Sequence, residues 1–122
     1  MTQEEIQLLL IDLCARLPYG VKCRAFVRGL ELDKPNKDED YVLKASMLNK
    51  LWIVNRKLKP YLRPMSSMTQ EEKKELWELL KKPGMSTDVK RLDWLNANHF
   101  DYRGLIPKGL ALEAKEGMYK IG

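Results

Sequence analysis

Residues 9–28 read Leu9-Leu10-Ile11-Asp12-Leu13-Cys14-Ala15-Arg16-Leu17-Pro18-Tyr19-Gly20-Val21-Lys22-Cys23-Arg24-Ala25-Phe26-Val27-Arg28. Within them the spacing of apolar side chains changes from that of a helix to that of a strand. Up to Pro18, the residues Ile6, Leu9, Leu10, Leu13, Cys14 and Leu17 recur at helical intervals, which stacks them on one face. After Gly20, Val21, Cys23, Ala25 and Val27 alternate with Lys22, Arg24, Phe26 and Arg28, the period of a half-buried strand. Pro18 and Gly20 supply the break between them. A helix followed at once by a strand with one apolar face places the chain in the α+β class. Cys14 and Cys23 both fall on apolar faces and are expected to be buried thiols rather than a disulfide or a metal pair.

Working outward, Thr2 and Glu5 hold capping-box positions at the start of the helix, with Met1 and Ile6 placed as a hydrophobic staple. Leu8 and Ile11 lie off the main stripe, so the helix is expected to pack on two sides. Downstream, Gly29 permits a turn or bulge, Leu30-Glu31-Leu32 extends the strand, and Pro35 to Asp40 reads as a polar loop. Further strands are expected at 41–47 and 51–54, joined through Leu48-Asn49-Lys50, giving a small antiparallel meander of about three strands covered by the first helix.

The prolines of Lys59-Pro60-Tyr61-Leu62-Arg63-Pro64 exclude a helix interior and predict a rigid connector. A second helix opens at Thr69 with Glu72 at the capping-box position, turns Leu76, Trp77, Leu79 and Leu80 inward, and stops at Lys81-Lys82-Pro83-Gly84. The phrase Met-Thr-Gln-Glu-Glu begins at both Met1 and Met68; nothing after it aligns, so it is one cap used twice and not a repeat. A third helix is expected over 87–97 with Val89, Leu92 and Leu95 on its inner face. Asp101 then caps a turn, with His99 a hydrogen-bonder at the helix end. Leu110 to Leu112 and Met118-Tyr119 form a short hairpin or extended tail.

At 122 residues, with 44% hydrophobic and 32% charged side chains, one folded domain with one core is expected. No apolar run approaches the length of a membrane span. The acidic start, Thr2-Gln3-Glu4-Glu5, does not read as a signal peptide, so a cytoplasmic location is expected.

Three phrases occur together: Leu13-Cys14-Ala15-Arg16-Leu17-Pro18-Tyr19-Gly20-Val21; Lys59-Pro60-Tyr61-Leu62-Arg63-Pro64-Met65-Ser66-Ser67-Met68-Thr69; and Trp94-Leu95-Asn96 with His99-Phe100-Asp101-Tyr102-Arg103-Gly104-Leu105-Ile106. In these the chain resembles small uncharacterised proteins of gut Bacteroidetes and their phages or mobile elements. The resemblance implies a bacterial or phage cytoplasmic protein, and it transfers no catalytic residue because that group carries no assigned activity.

The net charge of +5 is unevenly placed. Residues 41–65 hold Lys44, Lys50, Arg56, Lys57, Lys59 and Arg63 and no acid, interleaved with Trp52 and Tyr61. Cations beside exposed aromatics suit nucleic acid, because the cations neutralise phosphates and the rings stack on unpaired bases. Lys22, Arg24 and Arg28 on the outward strand face extend that candidate patch. The bland alternative makes Trp52 and Tyr61 core residues and the cations a solvated face. His99, the only histidine, and Asp101 invite a catalytic pairing, but no nucleophile elbow, phosphate loop or metal-ligand spacing accompanies them. Ser66 and Ser67 are better explained as residues leading into a helix. No catalytic residue, metal site or cofactor is therefore expected. The function expected is that of a non-catalytic binding or accessory protein with an unknown protein partner, with nucleic-acid binding through residues 44–63 as the alternative.

Overall fold

The computed structural model describes residues 1–27, 37–84 and 86–119. Helix α1 spans Gln3–Arg16 and opens with a complete capping box: Thr2 Oγ accepts from the Glu5 amide at 3.1 Å and Glu5 Oε1 from the Thr2 amide at 2.9 Å. Those two bonds satisfy amides that the first helical turn leaves without intrahelical acceptors. A single 3-10 turn, Leu17–Tyr19, follows, and Gly20 at φ 66° swings the chain into strand β1, Lys22–Val27. A side chain at that left-handed φ is strained, which is why glycine serves there.

Strand β2, Lys37–Val42, pairs antiparallel with β1 from Lys22↔Val42 to Val27↔Lys37. Helix α2 is Lys50–Asn55, strand β3 Lys59–Leu62, helix α3 Gln70–Lys81, helix α4 Thr87–Ala97 and strand β4 Leu112–Glu113. The sheet has the order β2-β1-β3-β4, with β1 antiparallel to β3 and β3 parallel to β4. The α+β class and the helix-first order stand as the sequence implies. The sheet is mixed rather than an antiparallel meander, and it has four strands.

The alternation after Gly20 holds: Val21, Cys23 and Ala25 are fully buried, and Lys22, Arg24 and Phe26 are half-buried. They share a core with Leu9 and Leu13 of α1, Ile53 of α2, Leu58, and Leu62 of β3. A second cluster forms where Trp94, Leu95 and Phe100 meet Leu76 and Leu79 of α3. Burial of this apolar surface, at about 25 cal/mol per Å², is the main favourable term in folding.

Several expectations fail for physical reasons. The run Leu51–Val54 is helical, because Asn49 Oδ1 accepts from the Trp52 amide at 2.8 Å and caps α2. A short apolar run does not distinguish strand from helix by periodicity, and the cap decides it. The strand expected over 41–47 ends at Val42, and its start lies at Lys37, inside the segment read as a loop. Ala45–Met47 is a 3-10 turn.

The connector Lys59–Leu62 is an inner strand despite Pro60. It pairs over only two residues on each side, so the missing proline N–H interrupts little. The tail returns as β4 beside β3 rather than as a hairpin. Cys14 is exposed and Cys23 buried, both as free thiols. Met1, in position to staple buried Ile6, is 57% exposed and Ile11 is also exposed, whereas Leu8 and Leu10 pack partly buried against the core beside Leu9 and Leu13. Gly29, Leu30–Leu32, Pro35 and Asn36 lie outside the described residues.

Tyr119 ties the tail to the sheet. Tyr119 Oη accepts from the Lys22 amide at 2.8 Å and donates to the Tyr61 carbonyl at 2.8 Å, and its ring stacks on His99 at 3.8 Å between centroids. Burial holds this phenol well above the usual tyrosine range, so it stays a neutral donor. Tyr119→Phe is expected to cost about 1–2 kcal/mol, because two backbone groups of the sheet lose their partner. Urea unfolding measures this, and an unchanged midpoint would show that the hydroxyl is not what docks the tail.

Candidate functional site

The cations read from sequence as one patch are divided between interior and surface. Arg63 is buried: Nη1 and Nη2 each meet a Glu72 oxygen at 2.7 Å, and the guanidinium lies 4.1 Å over the Phe100 ring. That hydrogen-bonded pairing, ahead of the capping contact with Thr69, holds the Glu72 carboxyl below its usual range. Tyr61 is also buried, with its hydroxyl donating to Asp40 at 2.7 Å. Arg24 lies over the Tyr61 ring and 3.7 Å from Asp40, and Lys22 Nζ donates to the Met118 carbonyl at 3.1 Å. Arg28 lies outside the described residues. The bland reading therefore holds for Tyr61, whereas Arg63 is neither a surface contact nor a solvated cation but is consumed by Glu72 and Phe100.

Beside these groups is an open cleft of about 410 Å³ lined by Lys22, Asp40, Tyr41, Lys115 and Met118 among others. Lys115 Nζ reaches Asp40 at 3.0 Å. The Tyr61 hydroxyl and then the Lys115 ammonium hold Asp40 below the usual carboxylate range. The charges of the cleft thus neutralise one another.

A buried polar centre lies between α1, β1 and the segment after α4. Asp12 and Arg16, both without exposed surface, pair through Arg16 Nε at 2.8 Å and Nη2 at 3.1 Å. Arg16 Nη2 also donates to the Phe100 carbonyl at 2.6 Å, and Arg103 Nε donates to Asp12 at 3.1 Å. His99 takes φ 63°, a left-handed conformation that histidine adopts more readily than most side chains. It does not act as a helix-end hydrogen-bonder through its Nδ1, which is buried without a partner, as is Arg16 Nη1.

Burial, then the charges of Arg16, Arg63 and Lys22, push the His99 pKa down to about 4. Asp101 is a cap, its two oxygens accepting from the Leu105 and Ile106 amides at 2.8 and 3.0 Å. It is thus spent on backbone and does not orient the imidazole. Burial first, with Asp12 adding, raises the Cys23 thiol to about 12, so that sulfur carries no thiolate at neutral pH. The histidine, carboxylates and thiol of this centre act as struts rather than as a nucleophile with its base.

No known family, curated protein or solved structure matches this chain. The surface chemistry of the described residues therefore carries the functional reading. Among them, no three His, Cys, Asp or Glu side chains are grouped to hold a metal ion, and no helix is long and apolar enough to cross a membrane.

Open faces among the described residues include one on α2 and one on α3 that carry cations beside apolar side chains. The first is on α2, where Leu51 is 71% and Val54 48% exposed, one turn apart. Lys44, Lys50 and Lys57 are exposed on and around this helix. Lys59 is half-buried, and Trp52 is half-buried against the core with Arg56 5.1 Å over its ring. The second is on α3, where Trp77 is 60% exposed and Lys81 lies 5.0 Å over its ring.

The inward placement expected for Trp77 is thus reversed. The apolar arc of α3 is wider than the contact with α4, which takes Leu76 and Leu79 and leaves the arc's edge in solvent. Val89 and Leu92 are also exposed, since α4 turns Lys90, Trp94 and Leu95 inward instead. Lys90 can be buried because its ammonium donates to the Lys82 carbonyl. The sequence signal for the α2 face was an Asn cap before an apolar run. For Trp77 it was the lysines one turn away on both sides.

Proposed function

We propose that this chain is a non-catalytic docking protein that holds a protein partner on the outer face of α2. The observation that carries the reading is the exposure of Leu51 and Val54 among cations, with no acid anywhere between residues 41 and 69. Adjacent exposed aliphatic side chains on a short, capped helix suit the apolar centre of an interface, and the cations suit its polar rim. The complementary partner presents an apolar recess bordered by carboxylates. Nucleic acid is a poorer fit at this face, because aliphatic side chains do not stack on bases. Trp52, the aromatic nearest them, is occupied by the core on one side and Arg56 on the other.

A photo-crosslinking residue placed at Leu51, and as a control at exposed Gln7, tests the reading in the native cell. The expected result is a discrete protein adduct from position 51 whose crosslinked peptide is acidic and apolar. The purified partner is then expected to lose about thirty-fold in affinity for the Leu51→Asp, Val54→Asp double variant, the scale of an interface hot spot. An adduct with nucleic acid, or the same adducts from position 7, would overturn it.

A further inference from the structure

We infer that the outer face of α3 is a binding site for single-stranded nucleic acid, built on Trp77 and independent of the α2 face. An indole that is 60% exposed is the largest apolar group left uncovered on this helix, and it is not isolated. Lys73 and Lys81 lie one turn before and one turn after it, and Lys74 lies beside the same row. At about 1.5 Å rise per residue, Lys73 and Lys81 bracket the ring by about 6 Å on either side along the axis.

All three lysines are exposed. Lys81 stands over the ring and within 4.0 Å of Glu78, whereas Lys73 and Lys74 have no carboxylate partner among the described residues. The acids of the helix, Glu71, Glu72, Glu75 and Glu78, fall about 100–160° around from Trp77; Glu72 is paired with Arg63 and Glu75 is engaged by the Trp94 indole N–H at 3.3 Å. Trp77 and three cations thus share one side of the helix, bordered by Glu78 and Glu71 next to Lys81 and Lys74.

The composition of the face selects the ligand class. A protein interface anchored on tryptophan surrounds the ring with further apolar side chains that exclude water. Around Trp77 the one apolar neighbour on the same side is half-buried Leu80, and the rest are lysines. A single strand needs what is present: an open π-face on which a base stacks, and cations along the path of its phosphates. A base on the free face of the indole completes a sandwich with Lys81, and the strand leads its flanking phosphates past Lys73 and Lys74. The cationic stretch 44–63 lacks this arrangement, because Tyr61 and Arg63 are buried and both faces of Trp52 are covered.

Tryptophan fluorescence of the full chain, titrated with a short oligothymidylate, tests the site. Of the three tryptophans, Trp94 is buried and Trp52 half-buried, so the exposed indole of Trp77 is the one a stacked base quenches. Quenching is expected at low salt, with binding weakening as salt rises. Trp77→Ala removes that fluorophore, so its binding is followed by the anisotropy of a dye-labelled oligothymidylate, and it is expected to weaken by about five- to one-hundred-fold, the range for loss of one stacked base. The triple variant Lys73→Gln, Lys74→Gln, Lys81→Gln is expected to reduce the slope of log K against log salt by about two. All four positions are exposed, and an unchanged melting temperature confirms that the variants fold.

The Leu51→Asp, Val54→Asp variant is expected to bind the oligonucleotide normally, which separates this site from the α2 face. Three results would overturn the assignment: no quenching at low salt, equal quenching by polyglutamate, which would make the ligand an acidic protein, or affinity unaffected by Trp77→Ala.

Discussion

Asp12→Ala is expected to lower the stability of the fold by about 3–5 kcal/mol, the cost of stranding a buried charge. Asp12 alone neutralises Arg16, which has no exposed surface, and it also accepts from Arg103. Without it, the Arg16 guanidinium keeps the Phe100 carbonyl and the face of Tyr102, 5.3 Å from the ring centroid, and neither carries a negative charge. A domain of this size is stable by about 5–15 kcal/mol in total, so the change removes a large share of it. The melting temperature is expected to fall by about 10–20 °C.

A second variant separates loss of charge balance from loss of packing. In Asp12→Leu, Arg16→Met both charges are gone, and apolar replacement of a buried pair is often close to neutral. The double variant is therefore expected to be more stable than Asp12→Ala, with a coupling energy of about 2 kcal/mol or more between the two positions. A cost below about 1 kcal/mol for the single change would mean that water reaches Arg16 when its partner is removed, and that the centre is not sealed.

That centre marks the limit of what the sequence makes legible. Asp12 and Arg16 are four apart on α1, a spacing that ordinarily means a weak surface pair. Their burial depends on Phe100, which follows 84 residues later and closes over them, and no local pattern records such a meeting. Arg63 is a similar case. As a lone cation in a basic stretch it reads as solvated, yet Glu72 serves it and the Thr69 cap with the same carboxylate.

Features that depend on neighbours in sequence are legible. Both capping boxes, the β1 alternation and the 87–97 helix form as their residues dictate, because each needs only contacts within a turn or a strand. The α2 face and Trp77 are harder, since exposure is decided by how wide an apolar arc the opposing element covers. On α3 the arc from Leu79 to Trp77 spans about 160°, more than one packed helix occupies, and the residue at its edge is left in water. The candidate sites lie where apolar pattern exceeds available partner, which a pattern alone shows only as more core.

Stability is expected to fall as pH drops from about 6.5 to about 4, and above about pH 4.5 the fall comes through His99. In the unfolded chain this ring titrates near the ordinary histidine value of about 6.5. In the folded protein burial and the charges of Arg16, Arg63 and Lys22 lower its pKa to about 4. The stacked Tyr119 ring offers it no negative charge, and Asp12 and Glu72 are already paired with the arginines. Between these values the unfolded state binds a proton that the folded state does not, so each step down in pH favours unfolding. The loss is expected to reach about 2–3 kcal/mol by pH 4, trimmed from the full shift because Lys22 is partly solvated.

The carboxylates held low, Glu5, Asp40 and Glu72, act in a different window. Their contribution is intact above about pH 4.5 and is lost below it as they protonate. Urea unfolding at pH 7, 5.5 and 4.5 separates the two. His99→Asn suits the left-handed backbone at that position and removes the titrating ring, so its midpoint is expected to stay level down to about pH 4.5 while that of the parent falls. A parent midpoint that is itself level over that range would show that His99 accepts its proton in the folded state, and that the space beside Nδ1 is open to water.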